Sequence, residues 1–221
     1  MIPLFYFALS QTVFGTSEPV TSAGGLDGTR LRAIGYIAEG LRAVGSEPVA
    51  LSPGEVYEAI QRGVIDGFGG WPFDLTNASG FPEVAPNFFL PGVGQYTSSA
   101  VSIRKESWNE LPEDIQAIFL ETSADYMDYA ITQLNTTETA ACNALKTAGG
   151  SLTIWDESQV DALRTAMGTS AMDRWTEATI ATGLSEGQAT TFVGDYLGAY
   201  ERALASSSYV DALATCASSA D

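Results

Sequence analysis

The segment from Leu26 to Trp71, LDGTRLRAIGYIAEGLRAVGSEPVALSPGEVYEAIQRGVIDGFGGW, leaves few folds open. Arg30-Leu31-Arg32-Ala33-Ile34 reads as a strand that Gly35 interrupts. Ile37, Leu41 and Val44 then recur at helical spacing, and Gly45 stands where such a helix stops. Pro48-Val49-Ala50-Leu51 is a short apolar run, the mark of a strand covered on both faces. Ser52-Pro53-Gly54-Glu55 is a capping box with proline at the first helical position, and Val56 and Ile60 form the buried stripe of the helix it opens. Gly63 ends that helix, and Val64-Ile65-Asp66-Gly67-Phe68 supplies a third strand. Connections this short make the βαβαβ pattern a parallel sheet with right-handed crossovers. Parallel sheets bind ligands beyond the carboxyl ends of their strands, which draws attention to Arg32 and Trp71.

Charge and composition remove several function classes. The chain carries 27 acidic residues against 10 basic ones, a net charge of −17, and lacks the basic patches that nucleic acid or an anionic membrane surface requires. It contains no histidine, which removes Ser-His-Asp and Cys-His catalysis and His-ligated zinc. There is no Gly-rich phosphate loop of the P-loop type. Cys142 and Cys216 are too few for a metal cluster; they either pair, tying the far end of a long helix to the C-terminus, or remain two thiols. Ile2 to Leu9 is apolar but too short to span a bilayer, and no Lys or Arg precedes it as in a signal peptide.

The rest of the chain reads as support. Pro3 to Phe7 is strand-like, and TSSAVSI before Arg104 alternates as a second such segment. Pro112-Glu113-Asp114 opens a helix whose apolar stripe includes Ile115, Phe119, Met127, Ile131 and Leu134 and which Gly149-Gly150 ends. Asn135-Thr136-Thr137, weak helix formers, mark a place where it can break in two. Ser151 to Trp155 reads as a strand and 156–182 as a helix buried through Val160, Leu163, Met167, Met172 and Trp175. Ser185-Glu186-Gly187-Gln188 caps a last helix, and the Ser- and Ala-rich residues after Ala205 read as frayed.

Five positions beside Arg32, namely Gln11, Gly70, Trp71, Phe73 and Tyr96, are candidate site residues. Gln11 can donate to a carboxylate or is a surface loop amide. The run Phe68-Gly69-Gly70-Trp71-Pro72-Phe73-Asp74 reads as a loop in which Gly70 lets backbone approach a ligand. In it Trp71 and Phe73 wall a small pocket, or simply cover the loop. Tyr96 either reaches the ligand or is a strand-edge aromatic. Arg30 reads as a surface ion-pair residue, and the capping box accounts for Glu55.

The ordered elements GTRLR, G-E-V-Y-x-A-I-Q-R-G-V-I-D-G and Ser107-Trp108-Asn109-Glu110-Leu111-Pro112-Glu113-Asp114 resemble the solute-binding proteins of tripartite ATP-independent periplasmic (TRAP) transporters, over most of the chain from about Pro3 to the last helix. The resemblance implies an α/β fold of the periplasmic-binding-protein type II kind: βαβ units, a long spine helix, and here an incomplete first lobe. Residues about 1–25 and 98–110 would be linking strands, 26–97 an α/β lobe, 112–148 the spine helix, and 151–205 a C-terminal strand and helices. Family members carry roughly a hundred further residues before the part matched here, so the chain is expected to begin mid-fold. They are exported, which implies a periplasmic location.

In that family the Arg matching Arg32 grips a substrate carboxylate through a bidentate pair. A monocarboxylate-binding branch has a Gln at the distance of Gln11. That branch also has a Glu-Trp pair that can hold a bridging metal ion where this chain has Gly70-Trp71, so a metal-bridged mode is not expected unless Asp74 substitutes. The implied function is capture of a small organic acid anion for membrane permease subunits, without enzymatic activity or a resident cofactor, with a homodimer as a further possibility. Two other readings are a glycosidase-like hydrolase using paired carboxylates and a sensory domain that keeps the fold without transport.

Overall fold

A computed structural model describes residues 1–92, 98–209 and 212–218. In chain order the elements are strands β1 (Ile2–Ala8), β2 (Thr12–Thr16) and β3 (Leu31–Arg32), helices α1 (Gly35–Ala43) and α2 (Val56–Gln61), strand β4 (Gly67–Pro72), helices α3 (Phe73–Thr76) and α4 (Phe81–Val84), and strands β5 (Asn87–Leu90) and β6 (Ser98–Ile103). Helices α5 (Lys105–Asn109) and α6 (Glu113–Thr147), strand β7 (Ser151–Ile154), and helices α7 (Glu157–Met167), α8 (Ser170–Ala181), α9 (Glu186–Ser206) and α10 (Ala212–Ser218) complete it.

The main sheet has the order β3-β4-β2-β5-β7. β3 and β4 are parallel, with Leu31 opposite Gly67 and Arg32 opposite Phe68, and Val49 bridges Arg32 in parallel on the other side. The crossover unit read from the sequence is therefore present, but its second strand shrinks to one bridge and its third starts late. Val64 and Ile65 both donate their N–H groups to the Ala59 carbonyl, closing α2, so the ladder with β3 begins at Gly67. β2 runs antiparallel to both β4 and β5, which makes the sheet mixed.

Both faces of this sheet are covered. On one, Val13, Phe68, Trp71 and Phe88 pack with Val56, Ile60 and Phe81 and with the last turns of α6 through Ala141 and Leu145. On the other, Phe14, Leu31 and Phe89 pack with Leu41 of α1 and Val160 and Leu163 of α7. At about 25 cal/mol per Å² of apolar surface, burial of such side chains is the main stabilising term. β1 and β6 form a separate antiparallel pair, and Phe5 of β1 meets Tyr126 of α6 at 4.7 Å.

Helix α6 runs unbroken for 35 residues. Asn135-Thr136-Thr137 does not interrupt it, and the Thr136 and Thr137 hydroxyls donate to the carbonyls of Thr132 and Gln133 one turn back. The expected helix over 156–182 is instead two: Gly168, at φ 57°, ends α7, and α8 starts at Ser170. Met172, expected on the buried side, is accordingly exposed. Described residues after Ala205, expected to fray, are docked instead. Cys142 and Cys216 form a disulfide, Leu213 is buried, and the Tyr209 hydroxyl donates to the buried carboxylate of Glu138 at 2.6 Å. Both predicted capping boxes form, at Ser52 with Glu55 and at Ser185 with Gln188.

Candidate anion site at the ends of β3 and β4

Arg32 ends β3 beside Phe68 of β4, and paired residues of parallel strands share a face, so both side chains project toward the layer that holds Phe81. Only 6% of Arg32 is exposed. Its Nε donates to the Leu51 carbonyl at 3.1 Å, and its guanidinium carbon lies 5.0 Å from the centre of the Trp71 ring. Among the described residues no carboxylate comes within ion-pair distance of it. Burial pulls its pKa below the usual arginine value. A buried cation without a counter-charge costs several kcal/mol, of which the carbonyl bond and the indole face recover part. The terminal Nη1 and Nη2 groups form one edge of a planar fork, the geometry that matches a carboxylate.

Trp71 reaches this position through a bulge. Val13 pairs with Trp71 and Gly15 with Phe68, so Phe14 alone faces Gly69 and Gly70. In a regular strand residues three apart point to opposite faces; the inserted residue brings Phe68 and Trp71 to the same one. Gly70 has φ 72°, and a Cβ there would collide with Ile37 Cδ1. The Trp71 ring then packs edge-on to Phe81 at 4.9 Å and to Phe68 at 6.4 Å. Its Nε1 is buried with no hydrogen-bond partner.

The stretch 68–74, expected as a loop, is β4 followed by α3, because Gly67 to Pro72 finds ladder partners in both β2 and β3. Gln11 is exposed at the entry to β2, and its carbonyl accepts from the Phe73 N–H at 3.1 Å. Phe73 is fully buried, its ring edge-on to Phe88 at 6.4 Å. Tyr96 lies outside the described residues. Arg30 precedes the strand, is half-buried, and pairs with Asp66 at 2.7 Å. Thr12, which the sequence reading passed over, has a buried hydroxyl without a partner, but as a neighbour of Val13 it belongs to the opposite face of β2. A threonine in a strand carries no signal that would have singled it out.

The arrangement can hold an anion and does not suit a metal. Arg32 Nη1 and Nη2 and Trp71 Nε1 are all donors, and none can ligate a cation. Gly70 brings no carboxylate, and Asp74 accepts through Oδ1 from the Ser10 hydroxyl at 2.7 Å. No group of three or more Asp, Glu, Cys or His able to hold a metal occurs among the described residues. The paired-carboxylate hydrolase reading meets a similar obstacle: Glu138 is the one acid among the buried described residues, and it binds Tyr209.

Comparison with known proteins bears on the family and the fold. The model of bacterial extracellular solute-binding protein family 7, DctP, matches residues 6–177. The chain is 26% identical over 158 residues to the ectoine-binding periplasmic protein TeaA of Halomonas elongata, covering 70% of this chain and 46% of TeaA. It is 33% identical over 117 residues to the solute-binding protein NAS141_03721 of a Sulfitobacter strain, covering 50% of this chain and 33% of that protein. It thus spans less than half the length of these curated relatives. Its fold is similar to that of a TRAP periplasmic solute binding protein from Desulfovibrio salexigens with bound orotic acid, at a TM-score of 0.75 and 22% identity, over 90% of this chain and 62% of that one. That family consists of binding proteins, not enzymes. A family model that matches most of the chain, together with a buried and unpaired guanidinium at the strand ends, identifies this protein as a member of the bacterial extracellular solute-binding proteins of family 7.

Proposed function

We propose that the chain captures a small organic acid anion in the periplasm and presents it to the membrane permease subunits of a TRAP transporter. The observation that carries this reading is Arg32: a guanidinium 6% exposed, with no carboxylate of its own, stacked on Trp71 at the ends of two parallel strands. Arg32 holds the carboxylate, Trp71 shapes the site and excludes water, and Gln11, whose carbonyl accepts from the Phe73 N–H, adds a hydrogen bond. Excluding water lowers the local dielectric and strengthens the ion pair. TeaA binds ectoine by its name, and relatives of known structure hold orotic acid and glucuronate, so acidic small molecules are the class to screen.

Isothermal calorimetry of such a panel against the wild type and Arg32→Ala tests the reading. Loss of the charge pair is expected to weaken binding by about 2–5 kcal/mol while the far-UV spectrum stays unchanged. Equal affinity of variant and wild type refutes the role.

A further inference from the structure

We infer that the cleft between α1, α7 and α8 is a binding site for a small neutral aromatic molecule of one or two rings. It lies on the face of the main sheet opposite Arg32, apart from the anion site.

The shape of the space sets the size of the guest. A cavity of about 260 Å³ opens here, floored by Phe14 of β2 and walled by the three helices. Close-packed interiors hold few voids larger than a water molecule. An apolar cavity of about 150 Å³ takes benzene, so this one has room for a bicyclic ring system such as indole. An α-helix, about 10 Å across with its side chains, is too wide for it. The lining atoms are almost wholly apolar, which disfavours a charged guest.

The frame is built to stay open. Buried Leu41 and Leu163 close the inner end, and Tyr36 and Met172, 43% and 47% exposed, stand at the mouth. Glu39 of α1 forms an ion pair with Arg174 of α8, which ties together two of the helices around the opening. The floor is held from below. Ile37 Cδ1 fills the place of a Cβ on Gly70, and Leu41 and Phe14 crowd the place of one on Gly69.

The chemistry of the wall selects the class of guest. Met167 at the end of α7 and Met172 of α8 bring thioethers, and Trp175 brings a ring. Thioethers are polarizable, adapt their shape and make favourable contacts with aromatic rings. Gly40 gives Met167 its room, because a Cβ there would collide with the Met167 methyl group. A glycine inside a helix weakens it, so α1 gives up stability where the thioether enters. Phe14, Tyr36 and Trp175 offer edge and face contacts that an aliphatic chain cannot return.

NMR of isotope-labelled methionine methyl groups, joined to calorimetry, tests the site on the chain as it stands. Its four methionines are Met1, Met127, Met167 and Met172. Indole is expected to shift the Met167 and Met172 signals saturably, with a Kd of about 1 mM or tighter, and to leave Met1 and Met127 in place. Octanol, neutral and of similar size, is expected to bind more weakly than indole. Ala171→Phe fills the cavity from α8 and is expected to weaken indole binding by about tenfold or more. Absence of a saturable shift at Met167 and Met172, shifts at Met1 or Met127 in their place, tighter binding of octanol, or an unchanged Kd in folded Ala171→Phe each overturns the inference. The wild-type titrations decide alone where Ala171→Phe does not fold. Indole carries no charge, so failure here leaves the role of Arg32 standing, and equal acid affinity of Arg32→Ala and wild type leaves this site standing.

Discussion

The two sides of this molecule bury their apolar residues very differently. Around β4 the aromatic rings are closed in: Phe68, Phe73, Phe81 and Phe88 are all fully or almost fully buried, and Phe68 stacks on Phe81 at 4.4 Å. Along α9 and the first half of α6 residues of the same kind are open to solvent, among them Phe192, Tyr196, Tyr200, Ile118, Leu120 and Tyr129. Both regions are amphipathic in sequence. In the second, β1 meets α6 at Tyr126 and α8 meets α9 where Trp175 stacks on Phe192, and these contacts leave much of the apolar face open. The contrast teaches that an apolar stripe at helical spacing fixes a helix but not whether its face is covered. It also teaches that the candidate site belongs to the self-sufficient side, where packing holds Arg32 and Trp71 in place.

That contrast is open to attack by mutation. Phe68→Ala removes a ring enclosed by Phe81, Phe88 and Trp71 and is expected to cost about 3–5 kcal/mol, read as a loss of thermal or urea stability. Replacing both Cys142 and Cys216 with serine opens a closure of 74 residues and is expected to cost about 2–4 kcal/mol, with proteolysis starting in the segment after α9. On the open side, Tyr196→Ala, at a residue 63% exposed, is expected to change stability by less than about 0.5 kcal/mol. A cost for Tyr196→Ala comparable to that of Phe68→Ala would erase the distinction.

The smallest effect concerns acid. At Asp66 partial burial favours the neutral carboxyl, but hydrogen bonds and charge from Arg30 outweigh it and leave the pKa below the ordinary aspartate range. A depressed folded-state pKa contributes stability above the unfolded value of about 4, and this is lost as pH falls through the folded value. Asp66→Asn should therefore lower the melting temperature slightly at pH 7, and the gap from wild type should close on acidification. A gap that widens toward low pH contradicts the pairing.

What could be read in the sequence was local or carried by ordered motifs. The capping boxes at Ser52 and Ser185, the spine helix and the parallel crossover from β3 to β4 depend on neighbours within a few residues or on one repeated unit. The strand-end position of Arg32 was legible in the same way, and its proposed role rests on that position together with the family resemblance. The misses were non-local. The bulge at Gly69–Gly70 exists only against Phe14 of β2, more than fifty residues away in the chain, so a double glycine read as a loop. The docking of the tail depends on a disulfide whose pairing the sequence left open, and on Glu138 meeting Tyr209. Gly168 was visible throughout, but the run of helix formers on either side masked it as a break.

Helix α6 joins the core around β4 through its last turns. Its last turns are pinned by Ala141, Leu145 and the bond from Cys142, while β1 rides on its middle through the contact of Phe5 with Tyr126. A rigid rod of 35 residues is about 52 Å long at 1.5 Å per residue. It acts as a lever with its fulcrum in the core: a tilt of about 5° there swings the far tip by about 4–5 Å. Angular adjustments too small to disturb the packing around β4 thus become displacements of side-chain size at the opposite pole.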